Sequence, residues 1–276
     1  MALYFITQAE RGYVRDDHVL IADLAKLDVT PIPRPWTEGL DGITADDTLV
    51  IRAIWDYHLR PNEFVSWLDA TQHIGCRMIN PQTLIRWNHR KAYLQELAQK
   101  GIQIPETYFY RSSAEFANHA PRLAHAEYVL KPVVSASAYR TSRVAADGVA
   151  RAVRDFAETE FMVQEFLPEI ADGEWSLTFI GGAFTHAVKK IPVRGEFRSQ
   201  RDFGAQQHAE SPPAASIAQG ERILALLPEQ PAYARIDFVM RGNVPLLIEV
   251  ELIEPELFLS IDPEAAERLA RIIANE

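Results

Sequence analysis

The sequence predicts an α/β protein whose C-terminal part takes on α+β character, and three observations carry that prediction. Across residues 1–87, short apolar runs alternate with amphipathic helical patterns, the order that builds a small parallel layer. From Trp175 onward the runs are joined by turn residues, Gly181-Gly182 and Arg241-Gly242-Asn243, which mark antiparallel hairpins. The chain has 276 residues, 47% of them hydrophobic and 24% charged, enough to bury the cores of two or three subdomains.

Leu3–Ile6 is a short apolar strand. Val19, Leu20, Ala22, Leu24 and Leu27 line one side of the helix after it, and Val29–Ile32 is the next strand. Leu49–Ile54 is apolar almost throughout, so burial on both faces is expected. Pro61 stands where a first helical turn accepts an imino acid and opens a helix through Trp67 and Leu68. Met78-Ile79 is a fourth strand, closed by Asn80-Pro81. Ligands of such layers sit beyond the carboxyl ends of the strands. That rule singles out Ile54-Trp55-Asp56-Tyr57-His58, where Asp56 or Tyr57 faces a substrate unless Asp56 only caps the loop.

A helix from Asn88 through Lys91, Leu94 and Leu97 stops at Gly101. Strand Tyr108–Tyr110, a helix near Ala114–Asn118 and strand Tyr128–Lys131 follow, the last ending at Pro132. Asp147-Gly148 opens a helix through Phe156, and Phe161–Leu167 is a strand. Trp175–Ile180 and Phe184–Ile191 form a hairpin, a helix covers about Ile217–Leu227, and Pro263–Ala274 is the last helix. The texture changes place domain boundaries at 1–87, 88–166 and 167–276.

Composition excludes several functions. The net charge of −10, from 28 basic and 38 acidic residues, argues against nucleic acid or an anionic membrane as a partner. The single Cys76 allows neither an intrachain disulfide framework nor a Cys-rich metal site. The N-terminal segment MALYFITQAERG lacks the basic and apolar regions of a signal peptide, and no run approaches the roughly 18 apolar residues of a membrane span. A soluble, cytoplasmic protein is the expectation.

The groups with chemistry lie later. Lys131 ends an apolar strand and is followed by Val-Val-Ser135-Ala136-Ser137-Ala138, small residues whose backbone N–H groups can approach phosphate oxygens. Taken alone this is also a serine-rich turn beside a solvated lysine. Gln164-Glu165-Phe166-Leu167 runs from a strand into a turn at Pro168-Glu169, where backbone groups can pair with a base edge, or where Glu165 and Glu169 cap a loop. Of Lys189-Lys190 only one can point inward, and Lys189 shares parity with Ala187 and Ile191. Arg198 and Arg201 make a local basic loop in an acidic chain. Finally, Arg235 and Asp237 share one strand face, as do Glu249 and Glu251, with Ile248, Val250 and Leu252 expected behind them. A hairpin centred on Asn243 sets Asp237 opposite Glu249, gathering hard oxygen donors suited to Mg²⁺. By alternation alone the same pattern describes a solvated polar face.

In this order the signals resemble the ATP-grasp superfamily of D-alanine–D-alanine ligase, glutathione synthetase and the ribosomal-protein glutamate ligases. Trp-Asn-His-Arg-Lys91, Gly-Glu-Phe-Arg198 and Leu-Ile-Glu249-Val-Glu251-Leu-Ile-Glu-Pro look most like the branch containing the D-cycloserine-forming ligase. The resemblance implies an ATP-grasp fold, a small parallel α/β layer followed by two α+β subdomains clasping a nucleotide. It implies ATP and Mg²⁺ as cofactors, two ions, with Mn²⁺ as a substitute.

Position by position, the resemblance gives Lys91 and Lys131 to the nucleotide phosphates, with Ser135 and Ser137 in the loop over them. Gln164, Glu165, Phe166 and Leu167 would form the adenine hinge, and Glu169 or Glu174 would bind ribose. Lys189 would reach the transferred phosphate, while Arg235 and Arg198 would steady a phosphorylated intermediate. Asp237, Glu249 and Glu251 would hold the metal. Two departures stand out: Ser and Ala replace the usual glycines of the phosphate loop, and Glu251 stands where Asn is common. The implied activity is carbon–nitrogen ligation, in which ATP activates a carboxyl or related acyl group of an amino acid or small peptide for an amine, with ring closure as in D-cycloserine formation one variant. Antibiotic biosynthesis would be its setting, and the resemblance suggests a homodimer. A small-molecule kinase on this scaffold, or a nucleotide-binding module without turnover, are the alternatives.

Overall fold

Three sheets organise the computed structural model, which describes residues 1–9, 16–156 and 160–275. Residues 10–12 of the N-terminal segment discussed above lie outside these. The first sheet holds β1 (Leu3–Thr7), β2 (Ile32–Pro35), β3 (Thr48–Ala53) and β4 (Arg77–Ile79) in the order β2-β1-β3-β4, all parallel. Every residue of β3 is buried, as its apolar run requires. β2 begins at Ile32 and not at Val29, and runs through Pro33 and Pro35. Proline has no N–H for a ladder, and an edge strand tolerates that loss. Helix α1 (Asp17–Lys26) and helix α2 (Pro61–Ile74) belong to this layer, and Gly75 ends α2 in the left-handed conformation, φ +75°.

The single helix expected from Asn88 to Gly101 is instead two, α3 (Gln82–Asn88) and α4 (Tyr93–Gln99), and Lys91 sits in the turn between them. The break has a cause in strand pairing. β12 (Tyr233–Arg241) and β13 (Val244–Glu251) form the C-terminal hairpin, and β13 is an edge strand whose free backbone groups need partners. Asn88 donates to the Val250 carbonyl (2.7 Å) and accepts from the Leu252 N–H (2.9 Å), while the Tyr93 hydroxyl donates to the Val250 carbonyl (3.0 Å) and accepts from its N–H (2.9 Å).

β5 (Thr107–Tyr110), β6 (Glu127–Pro132), β7 (Ser142–Ala145) and β8 (Phe161–Glu165) make an antiparallel sheet in the order β5-β8-β6-β7. Helices α5 (Ser113–Asn118) and α6 (Val149–Asp155) pack on it around Tyr110, Phe116, Tyr128 and Phe161. The third sheet adds β9 (Glu174–Ile180), β10 (Ala183–Ile191) and β11 (Gln206–Ala209) to the hairpin, in the order β11-β10-β9-β12-β13. Both β7 and β11 are short and polar, so they carry no apolar alternation that would announce them.

Helix α7 (Ala214–Leu226) and α4 cover one face of the third sheet around Trp175, Leu177, Phe179, Ile236 and Phe238. The last helix, α8 (Pro263–Ala274), returns to the first layer, where Leu269 and Ile273 share a core with Leu3, Leu20, Leu24 and Tyr233. No described helix is long and apolar enough to cross a membrane.

Candidate active site

A cleft of about 520 Å³ is lined by residues of β6 and β8 on one side and of β10, β12 and β13 on the other; Trp55 and Tyr57 reach it from the first layer. That volume suits a drug-sized or nucleotide-sized ligand.

The hairpin register makes the floor of this cleft. Arg241 pairs with Val244 across a two-residue turn, a frame that taken alone would set Asp237 opposite Ile248. A bulge between Asp237 and Phe238 shifts the frame by one, so Asp237 faces Glu249 and Arg235 faces Glu251. The expected carboxylate pairing is therefore present, but through a bulge and not through a turn centred on Asn243. The bulge also overturns the expectation that Ile248 lies behind the sheet: Ile248 and Glu249 both line the cleft, because two successive residues now oppose one.

Buried ion pairs fill this face. The Asp237 carboxylate accepts from Ser176 Oγ (2.6 Å), Arg235 Nε and Nη2 (both 3.0 Å) and Lys190 Nζ (3.2 Å). Burial alone would raise its pKa, yet Arg235 and Lys190 outweigh that and hold the carboxyl well below its usual range. Lys190 also pairs with Glu174, which accepts from Ser199 Oγ (2.7 Å). Arg235 reaches Glu251 as well, and Glu249 pairs with Lys91 Nζ (2.7 Å), itself bonded to the Ser135 carbonyl (2.8 Å). Burial, with Glu249 and Asp237 nearby and Arg235 opposing, pushes the Glu251 carboxyl up to about 7.

Among the described residues, no three His, Cys, Asp or Glu side chains stand close enough to share one metal ion. Each carboxylate takes a protein cation instead. The donor set still suits a hard divalent cation: Asp237, Glu249 and Glu251 share one face and line the cleft, offering carboxylate oxygens of the kind such an ion takes.

Lys131 differs from the other cleft lysines. It is buried at 8% exposure, lines the cleft, and makes no ion pair or hydrogen bond with any described residue through its ammonium group. Burial and, to a lesser degree, Lys91 lower its pKa to about 8, against the pull of Glu249. A second wall is apolar: Leu167, Val239 and Leu246 pack with Ile170 and Ile248. Gln164 lies beside it, its side-chain amide donating to Thr107 Oγ1 (2.9 Å), and Phe166 carries the Arg143 guanidinium over its ring at 3.8 Å. Glu165, also buried in the lining, pairs with Arg241 (2.6 Å) and with His125 (3.3 Å). Ser135 and Ser137 line the cleft, and the loop turns through left-handed Ser137 (φ +50°), Ala138 (φ +55°) and Arg140 (φ +50°), conformations that side chains other than glycine's disfavour.

Two expected placements need correction. Lys189 lies outside the cleft with its ammonium over the Trp175 ring at 5.3 Å, and Lys190 points in. Ala187, whose parity had favoured Lys189, packs in the core on the helix-covered side, so the odd residues of β10 face away. Glu169 is likewise not part of the lining: Arg241 Nε holds it at 2.7 Å, while Glu174 is inside. Arg198 lines the cleft, forked onto Glu196 (Nε 3.0 Å, Nη2 2.6 Å) and stacked over Phe203 at 3.6 Å. At the β3 end Tyr57 faces the cleft, whereas Asp56 is not in the lining and makes no side-chain cap, its carboxylate accepting from Trp36 Nε1 (2.9 Å) and Arg60 Nη2 (2.6 Å). Sequence reasoning did not single out Lys190, Val239, Ile170 or Glu254; strand parity alone could have exposed Val239, two residues on from Asp237.

The model of the prokaryotic glutathione synthetase ATP-grasp domain matches residues 93–255, and that of the D-cycloserine synthetase DcsG N-terminal domain matches residues 3–80. The cycloserine biosynthesis protein DcsG of Streptomyces lavendulae is 31% identical over 102 residues, a stretch covering 35% of this chain and 34% of that protein. The crystal structure of D-cycloserine synthetase DcsG superposes with a TM-score of 0.85 at 24% identity, over 100% of this chain and 99% of that one. D-alanine–D-alanine ligase from Bacillus anthracis superposes with a TM-score of 0.68 at 12% identity, over 100% and 96%. At these identities the superpositions speak for the fold. With the ATP-grasp model matching more than half of its length, the chain belongs to the ATP-grasp ligase family.

Proposed function

We propose that the protein is an ATP- and Mg²⁺-dependent carbon–nitrogen ligase acting on an amino acid or small peptide, and that residues 1–87, 88–166 and 167–276 are its three domains. The observation that carries the reading is Lys131, a buried ammonium without a partner among the described residues, set in a cleft between an apolar wall and a cluster of carboxylates, Lys190 and Arg235. A buried cation of this kind is completed by an anion.

In this reading the base stacks against Leu167, Val239 and Ile248, and the phosphates lie toward Lys131 and Lys91. Asp237, Glu249 and Glu251 would hold Mg²⁺, which when bound neutralises phosphate charge. A carboxylate is a poor acyl donor, so its oxygen first takes the terminal phosphoryl group of ATP and ADP departs. The amine then attacks the acyl carbon and inorganic phosphate leaves. The chain's own residues orient the partners and balance charge: Lys190 and Arg235 face the reacting end, and Arg198 closes over it from its loop. The described lining contains no histidine or cysteine, in keeping with a reaction that needs no protein nucleophile. The D-cycloserine synthetase match of the N-terminal layer favours intramolecular ring closure as the variant to try first.

The test is a phosphate-release screen with ATP, Mg²⁺ and D- and L-amino acids, including serine derivatives able to cyclise. Release is expected only with an acid substrate present, and Glu249→Gln should abolish it while the melting curve stays near that of the wild type. Phosphate retained on an organic product would instead identify a kinase.

A further inference from the structure

We propose that Glu254 and Tyr57 form the receptor for the protonated amine of the substrate, so that the ligand entering this end of the cleft is an amino acid or peptide presenting a primary ammonium; this rests on the ligase reading above. Glu254 follows β13 and is 8% exposed, and it lines the cleft. Its main-chain carbonyl accepts from the Trp55 indole N–H at 3.3 Å, which fixes the backbone. Burial, and then the neighbouring Glu251, push its carboxyl well above the usual range, so the group holds its proton until a cation arrives; it has no counter-ion among the described residues. The cation that most affects it, Lys91, is already committed to Glu249 at 2.7 Å and to the Ser135 carbonyl at 2.8 Å. Asp237, Glu249 and Glu251 each have a protein cation, and Glu254 does not.

Tyr57 supplies a second and independent observation. It is 5% exposed, lines the same cleft, and its hydroxyl bonds to no described group. The negative charge that acts on it most strongly is that of Glu254. A buried carboxylate and a buried phenol left open toward a cavity are costly unless a ligand completes them. The ligand that satisfies both is a compact donor cation. A primary ammonium offers three N–H donors and one charge. Arg201 and Arg235 also line the cleft, so a zwitterion has complementary charge for its carboxylate as well as its amine.

The experiment is calorimetric titration of the full-length protein, loaded with a non-hydrolysable ATP analogue and Mg²⁺. The titrants are the proteinogenic amino acids, their D-enantiomers, and the matching N-acetyl and 2-hydroxy acids. The wild type should bind at least one free amino acid and reject its N-acetyl and 2-hydroxy counterparts. Glu254→Gln should weaken that binding roughly 10- to 100-fold, the scale of a lost charge-assisted pair. Tyr57→Phe should weaken it about 3- to 10-fold, and affinity for the ATP analogue should hold in both variants. Equal binding by Glu254→Gln, preference for the 2-hydroxy acid, or a change confined to the Mg²⁺ requirement would each overturn the proposal. Amino acid binding lost in Glu254→Gln, with a wild type that never releases phosphate, would uphold the ammonium receptor and remove the ligase reading.

Discussion

Lys189 and Lys190 are sequence neighbours with opposite surroundings. The first lies over the Trp175 ring on the helix side of the sheet, and the second joins Glu174 and Asp237 in the cleft. Lys190→Met should lower turnover by about 10²–10³-fold, the cost of losing one preorganised charge at a reacting group. Lys189→Met should leave turnover near that of the wild type, and steady-state kinetics of the two variants decides between them. Lys131 gives a pH signature. Its folded value of about 8 lies below the roughly 10.4 of an exposed lysine, so the unfolded chain holds more protons between those values and stability rises with pH across that window. Nucleotide binding runs the other way, because it needs the charged form. Affinity measured by titration should be full below about pH 8 and fall above it, and Lys131→Met should be weak and flat over the same range. Residue types drew attention to Lys131, Asp237, Glu249 and Glu251, all of which line the cleft, but alternation alone equally described a solvated face, and only the family resemblance gave these residues roles. The choice between Lys189 and Lys190 was not, because it depends on which side of β10 the helices cover, a property of packing and not of local sequence.

At the scale of elements, the hairpin shows how a correct pairing can rest on a different cause. The two-residue turn and the bulge at Asp237/Phe238 are each invisible to alternation, yet together they restore the pairing of Asp237 with Glu249. The split between α3 and α4 was hidden for a similar reason: Asn88 and Tyr93 satisfy the backbone of β13, and no periodicity in either helix reports a partner more than a hundred residues away. By contrast α8 was readable to its ends, since Asp262 caps it by accepting from Glu264 and Ala265 and Pro263 opens it. Gly220 of α7 gives a test of how closely helix and sheet meet. A Cβ there would stand 2.5 Å from the Phe179 ring, so Gly220→Ala should destabilise the fold by about 1–3 kcal/mol, read as a lower midpoint in urea, despite the better helix propensity of alanine.

Across the whole molecule, the cleft lies where the two antiparallel sheets meet the first layer, and a shared apolar core and buried hydrogen bonds hold that layer to the third sheet. Asn80, fully buried at the end of the first layer, donates to the carbonyls of Tyr233 (2.8 Å) and Leu252 (2.9 Å) and accepts from Ala232 N–H (2.7 Å), tying the layer to the strands that carry Arg235 and Glu251. Tyr139, in the loop between β6 and β7, packs against His58 with ring centroids 4.8 Å apart and planes tilted by 55°, and joins the second sheet to the first layer. The small layer, the two antiparallel sheets and the carboxylate floor thus line one site, in which Asp237, Glu249 and Glu251 each meet a protein cation while Lys131 and Glu254 face the cleft without an ion-pair partner among the described residues. In the proposed reaction this site activates an acyl oxygen with ATP before carbon–nitrogen bond formation. The most direct measurement uses a substrate labelled with oxygen-18 in that acyl group and mass analysis of the phosphate released on turnover. Transfer of one label into phosphate is predicted; unlabelled phosphate, or phosphate kept on the product, would contradict it.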